Sequence, residues 1–336
     1  MPSCLCGTDA GWTTVPFEES TVRRSPAARS PVDRFRAACA CPPALLAGAV
    51  LLAPVPALAQ DVCPDAVGPD VTVVDSGVDC ASRVGAGSIV VASTLESATL
   101  GPGAQAVGAT LGSTGFEVEL GAGSVAFPGS RAFAATTGAR ARLARGARLN
   151  GGRGIDFVRL GNDVSIGPGA NVQLRSSGDG LIVGENASIG ESTLAGENFR
   201  FGAGSDWVVG GSVGDGVTIG DGVTIEGGFS GGDGITVGDG VSIGFRVGIR
   251  PGATVYREAT IGNSSTVGAN SIVGRGVTVG SAVAIGERVL ILSGARIGDN
   301  ASVGAGSVVD AGASVPVGVD VPPGSRVSGD GTITPL

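Results

Sequence analysis

The sequence predicts an all-β fold, a single solenoid of short parallel strands wound into a triangular coil of about fourteen turns. Three observations predict it. Twenty of the twenty-one positions at strict six-residue spacing from Val213 to Ile333 are Val or Ile, Gly231 being the exception. Gly follows the aliphatic at many of these steps, among them Gly214, Gly220, Gly238 and Gly244. The residue two before the aliphatic is usually small or β-branched (Val217, Val223, Val241, Ala253, Ala259, Ser265), and the one between is usually Thr or Ser. A period of six fits neither a 3.6-residue helix nor a run of hairpins. It fits inward–outward–inward strands separated by Gly-rich turns. Three such faces close an eighteen-residue coil, so that aliphatic side chains at i and i+18 stack inside it.

The composition agrees. The chain has 336 residues, 61 of them Gly, and only 4% aromatic residues. The glycines are periodic but not in a G-X-Y repeat, which excludes collagen. Each fully buried Val or Ile contributes about 1.5–3 kcal/mol in transfer terms, enough for a stacked core to offset the entropy of so many glycines. The formal net charge is −8, and the 22 basic residues are all Arg. That net charge argues against nucleic-acid binding, since a phosphate-binding surface wants clustered Lys and Arg.

Residues 1–59 have a different composition. Arg23, Arg24, Arg29, Arg34 and Arg36 precede the apolar stretch from Pro43 to Pro54, and Ala57-Leu58-Ala59 offers a small-x-small cleavage pattern before Gln60. This reads as a secretory signal region, longer than such a signal needs, cleaved between Ala59 and Gln60. An exported chain would keep two cysteines, Cys63 and Cys80, whose expected disulfide contributes about 2–4 kcal/mol and closes an N-terminal cap over 60–90. Residues 84–182 read as irregular coils. Ile89, Leu95, Leu100, Val107 and Leu111 form partial hexads there. Val172, Ile166 and Leu160 then form one six-spaced set, offset by one from Ile155, Leu149 and Leu143. Such slips mark bulges or inserted loops. Residues 183–336 read as the regular solenoid, its core continuing through Val183, Ile189, Ala195, Phe201 and Trp207. Phe229 is the expected filler of the gap at Gly231. Pro316, Pro322, Pro323 and Pro335 would blunt the last open coil.

The outward positions fall into three columns. One runs Thr224, Ser242, Thr260, Thr278, Arg296, Ser314, Thr332, and a second Thr218, Thr236, Thr254, Ile272, Leu290, Val308. The third is mixed: Ser212, Ser230, Gly248, Thr266, Ala284, Ser302, Asp320. Ile272, Leu290 and Val308 predict an apolar strip that wants a partner, and so a homo-oligomer interface. Asp215 above Asp233, and Asp221 above Asp239, form like-charge ladders open to a cation such as calcium. Solvated Asp-Gly turns explain them better, and no metal site is assigned. The Thr/Ser column could meet glycan or ice, but ordinary β-propensity accounts for it and Arg296 interrupts it.

The hexads, and segments such as Ile297-Gly-Asp-Asn-Ala-Ser-Val303 and Asp320-Val-Pro-Pro-Gly-Ser-Arg-Val327, resemble the left-handed parallel β-helix of the hexapeptide-repeat acyltransferase superfamily. The resemblance is closer for 183–336 than for 84–182. It implies a left-handed coil and assembly side by side, as trimers. It also implies a catalytic His on the acceptor group, or three His on a metal in the related carbonic anhydrases. This chain has no His, so no catalytic residue, cofactor site or metal site carries over. Asp or Glu could serve as a base only if strongly desolvated, and the spacing nominates none. Export would also separate the chain from cytoplasmic acyl donors. The expected function is therefore a non-catalytic, self-associating structural scaffold of the bacterial envelope or extracellular surface. The alternative is an acyltransferase-like enzyme, or an inactive descendant, that binds a sugar or acyl ligand.

Overall fold

A computed structural model describes residues 7–8, 11–12, 62–113, 117–151 and 158–336. The chain divides into two compact units, Met1–Ala53 and Pro54–Leu336. In the first, Gly7–Thr8 pairs antiparallel with Gly11–Trp12. The second is the solenoid; the basic and apolar segments of the expected signal region and the Ala59/Gln60 junction lie outside the described residues.

Each coil contributes one short strand to each of three parallel sheets, taken here in chain order. Among the described residues, face 1 begins at Thr72–Val74 and has 16 strands, face 2 begins at Gly77–Val78 and has 14, and face 3 begins at Arg83–Val84 and has 14. Strands of two or three residues suffice because each coil hydrogen-bonds to the next along its whole path. Thr218 N–H donates to Ile235 O at 3.0 Å and Gly220 N–H to Val237 O at 2.8 Å. The six-spaced aliphatics line one continuous core, with Val237, Val255, Val273 and Ile291 all at or below 1% exposure. The three outward columns follow the sheets from strand to strand: Ser242 pairs with Thr260 on face 2, Thr254 with Ile272 on face 1, and Thr266 with Ala284 on face 3.

The core gap at Gly231 is filled by its neighbours, Phe229 among them. A Cβ there would lie 2.8 Å from Ile235 Cδ1, 3.0 Å from Val213 Cγ1 and 3.1 Å from Phe229 Cε1. Phe229 belongs to an aromatic stack inside the coil, edge-on to Trp207 at 5.6 Å, with Trp207 edge-on to Phe199 at 6.4 Å. Trp207 Nε1–H finds Gly210 O at 3.0 Å, so burying its indole leaves no donor unmet.

The glycines after the aliphatics have a steric cause. A Cβ on Gly214 would collide with the Asp233 carboxylate of the next coil, one on Gly280 with Asp299, and one on Gly244 with Asn263. Those side chains occupy the space because each caps a backbone N–H of the coil before it. Asp215 N–H donates to Asp233 Oδ1 at 3.0 Å, Ser281 N–H to Asp299 at 2.7 Å and Phe245 N–H to Asn263 at 2.8 Å. Conformational freedom is needed at a different corner residue, such as Gly216 with φ +65°; Asn300 fills the same place at φ +56°. Inward serines complete the corners. Ser271 Oγ donates to Gly286 O at 2.8 Å and accepts Val289 N–H at 3.0 Å.

Several expected inward positions are corrected. Ile89 points outward at 37% exposure while Val90 is fully buried, and Ala106 is inward where Val107 was expected. A one-residue shift moves a strand's whole side-chain set to the opposite face. Leu95, Leu100 and Leu111 are inward as expected. The slip beyond Leu149 is an insertion. Seven residues separate Arg148–Asn150 from Val158–Leu160, and Leu149 pairs with Val172, twenty-three residues on. Ile155 lies outside the described residues. At the far end Ile333 is 37% exposed and Thr332 leaves face 2. The tail turns back so that Ile333–Pro335 pairs antiparallel with Ser325–Val327, closing the edge of face 1. At the near end Cys63 and Cys80 are disulfide-bonded, Cα–Cα 5.0 Å. Cys63 N–H also donates to Val78 O at 3.0 Å, so the bridge joins the first coil to the second.

Candidate functional site

The strip on face 1 is in register: Ile272 pairs with Leu290, and Leu290 with Val308. Their neighbours Val273, Ile291 and Val309 are buried, so the strip residues project outward. Ile272 is 37% exposed, and Leu290 and Val308 are half-buried. On one side the column continues into Thr254, with Tyr256 standing 51% exposed at the adjoining corner. On the other it meets Arg326, whose guanidinium bonds the Asp310 carboxylate at 2.9 Å. The result is an aliphatic patch with a polar boundary on a flat sheet, a geometry suited to protein contact.

The Asp ladders are structural. Asp215 accepts Glu197 N–H at 2.8 Å and its own N–H goes to Asp233; Asp221 accepts Ala203 N–H at 2.7 Å and its N–H goes to Asp239 at 2.9 Å. Each carboxylate thus terminates a backbone donor of the neighbouring coil. Among the described residues no group of three or more Cys, Asp or Glu is arranged to hold a metal ion. The sequence reading missed this capping role. Its signal was the Gly immediately before each Asp, eighteen residues from the next such pair.

Ion pairs also join successive coils, among them Arg140–Asp163 at 2.6 Å, Arg275–Glu258 at 2.9 Å and Arg326–Asp310. The Arg140 hydrogen bond holds the Asp163 carboxyl below the usual range, and the Arg275 hydrogen bond does the same for Glu258. These groups are in water and act as clasps between coils.

Two further surface features escaped the sequence reading. Val208 and Val209 are about half exposed at a corner where most coils carry Gly or Asp. Val209 flanks Gly227 together with Phe245, over which Arg246 stacks at 5.1 Å. At another corner, after face 3, a groove of about 450 Å³ runs between Arg250 and Glu287 over Thr266, Gly268 and Ala269. Small residues on the middle coil make the groove, and opposite charges on the outer coils border it.

No family model matches the sequence, and no curated protein matches it. Among solved structures, the chain is similar to the UDP-N-acetylglucosamine acyltransferase of Francisella novicida at 20% identity (TM-score 0.28, 48% of this chain and 69% of that one). It is similar to the corresponding enzyme of Bacteroides fragilis at 18% identity (TM-score 0.29, 52% and 68%). A third similar structure is the acetyltransferase domain of PglB from Neisseria gonorrhoeae, at 22% identity (TM-score 0.23, 48% and 57%). The architecture rests on the three sheets themselves: stacked parallel strands, an inward aliphatic every six residues, and coils that close in eighteen. The chain is a hexapeptide-repeat parallel β-solenoid, with the architecture of the β-helix superfamily its sequence resembles.

Proposed function

We propose that the chain works as an exported structural solenoid, a rigid element that associates with copies of itself through the strip on face 1. The observation that carries this reading is the in-register column Ile272, Leu290, Val308 projecting from a flat parallel sheet. An apolar patch of this kind loses water contact on pairing, and a regular sheet presents it without a conformational cost. Light scattering with negative-stain microscopy tests it. The parent chain forms discrete side-by-side oligomers or larger arrays, and Leu290→Asp abolishes them while the chain keeps its β circular-dichroism spectrum, since the side chain projects from the outer side of the sheet. A parent chain that is monomeric throughout, or a Leu290→Asp chain that assembles unchanged, removes the face 1 interface.

A second reading is favoured by the groove between Arg250 and Glu287. The fold is one on which acyl transfer to sugar nucleotides occurs, and a groove floored by Gly268 and Ala269 gives a ligand close approach to backbone. On this reading the chain binds a sugar nucleotide or acyl donor, without the His that family chemistry uses. Melting with UDP-N-acetylglucosamine and with acetyl coenzyme A separates the two. A ligand-dependent rise that Thr266→Arg removes supports binding, and no shift with either compound supports the structural reading.

A further inference from the structure

Charge is distributed along this solenoid in bands. Residues 131–175 carry eight Arg against two acids, Asp156 and Asp163, whereas residues 176–243 carry ten acids against Arg200 alone. The coil register converts those bands into a pattern on one face. On face 2 successive strands place Arg131, Arg148, Asn171, Ser188, Asp206 and Thr224 in a single in-register column. Glu226 projects from the same strand as Thr224, and Arg131, Arg148, Asp206 and Glu226 are all exposed. Arg131 sits directly across from Arg148 on adjacent strands, a like-charge pair that is unfavourable in the isolated chain. The ion pairs clasping coils elsewhere use other residues.

The order of these residues is antisymmetric in charge about its centre. Taking the midpoint between Asn171–Val172 and Ser188–Ile189 as centre, Arg148 is one strand beyond the inner pair on one side and Asp206 one strand beyond on the other. Arg131 and the Thr224/Glu226 strand are the next pair out. A two-fold axis parallel to the strands, above that midpoint and in the plane between two copies, turns a second copy antiparallel and face to face. It sets Arg148 of each copy opposite Asp206 of the other, and Arg131 of each opposite Thr224 and Glu226. The centre, Asn171 and Ser188, is small and polar, as are the flanking Thr110 and Ser242, so two flat faces can approach. Neither of the other faces has this symmetry. Across the same coils face 3 presents Thr136, Arg159, Ser176, Leu194 and Ser212, and face 1 presents Arg142, Ser165, Ile182, Arg200 and Thr218, with no acid in either set.

We infer that face 2 is a self-complementary electrostatic interface on which two copies of this chain pack antiparallel, with Arg131 and Arg148 of each meeting Asp206 and Glu226 of the other. An isologous contact of this kind satisfies four charges per chain and closes on itself. It deepens the self-association reading, but a different face carries it, so the two can fail separately.

The test is sedimentation velocity of the full chain over a dilution series. Screening length falls from about 10 Å at 0.1 M salt to about 3 Å at 1 M, so the dimer present at low salt weakens at least about tenfold at high salt. Arg131→Glu/Arg148→Glu makes the face uniformly negative and abolishes the salt-sensitive dimer; Asp206→Arg/Glu226→Arg makes it uniformly positive with the same result. Mixing the two variants restores association as a heterodimer, and reversing all four charges in one chain restores the homodimer. Either rescue also shows that the variants are folded. Leu290→Asp leaves the salt-sensitive dimer intact. The inference is overturned if Arg131→Glu/Arg148→Glu associates like the parent, or if the mixture does not associate. In the first case, loss of assembly in Leu290→Asp alone would leave the face 1 reading standing.

Discussion

The upstream and downstream halves of the solenoid have one architecture and two rulers. From Ile182–Val183 to Ser325–Val327 each face 1 strand pairs with the strand eighteen residues on. Upstream, Ile89 pairs with Gln105, Gln105 with Val125, Val125 with Arg142 and Arg142 with Ser165, coils of 16, 20, 17 and 23 residues. The cores differ as well. Downstream, Val and Ile occupy most inward positions. Upstream, Ala104, Ala106, Ala126, Ala132, Ala141 and Ala147 alternate with Leu95, Leu100, Leu111, Leu120, Leu143 and Leu149. The sheets nevertheless run through both halves without a break. What the fold requires is an inward apolar residue on each face and a full set of bonds to the next coil. A constant period is one way to supply that, and corners absorb extra residues where the period fails.

The sharpest way to break this comparison is to attack the downstream half where its period already has a gap. Phe229→Ala empties the site that compensates for Gly231 and should cost about 3–5 kcal/mol in chemical denaturation, because Trp207 loses its edge-on neighbour. Adding Gly231→Val to that background should recover part of the loss, whereas Gly231→Val alone overpacks and destabilises. Strictly additive effects would mean that Phe229 does not fill the Gly231 site. The upstream half is tested by Cys63→Ser/Cys80→Ser. Loss of the bridge should cost about 2–4 kcal/mol. In a solenoid whose coils touch only their neighbours, that loss should appear as faster hydrogen exchange confined to the first coils, with protection from Val183 onward unchanged. Uniform loss of protection would make the two halves one cooperative unit.

The smallest effect compares the clasps. Asp163 and Glu258 both titrate below their ordinary values because an Arg hydrogen-bonds the carboxylate. Their contribution is therefore present above the ordinary carboxylate range near pH 4 and is lost as pH falls through the lowered values. Asp163→Asn with Glu258→Gln should lower the neutral-pH plateau of melting temperature slightly and leave the acid end unchanged, so that the acid limb flattens. An acid limb that does not flatten would mean that neither clasp contributes.

The hexads made the downstream core legible residue by residue, and with it the face 1 strip, because eighteen-residue counting lands on the right column when every coil has that length. The same counting misplaced Ile89 and Val107, where coil lengths depart from eighteen, and Ile333, where the chain reverses. The Arg131–Arg148 and Asp206–Glu226 pattern was hidden for the same reason: a 23-residue coil separates Arg148 from Asn171, and no fixed period puts both in one column. The amide-capping role of Asp215, Asp233 and Asp299 was hidden differently, since a Gly-Asp turn reads alike whether its carboxylate faces water or a neighbouring coil.

The antiparallel return of Ile333–Pro335 has a consequence for how such a chain changes over generations. With a disulfide pinning one end and a folded-back tail closing a sheet edge at the other, everything between is interchangeable coil. Duplicating eighteen residues in the downstream half adds one layer of about 4.8 Å and touches neither terminus. Length thereby becomes an independently heritable dimension, adjustable in discrete steps while the surface pattern above and below each step is preserved.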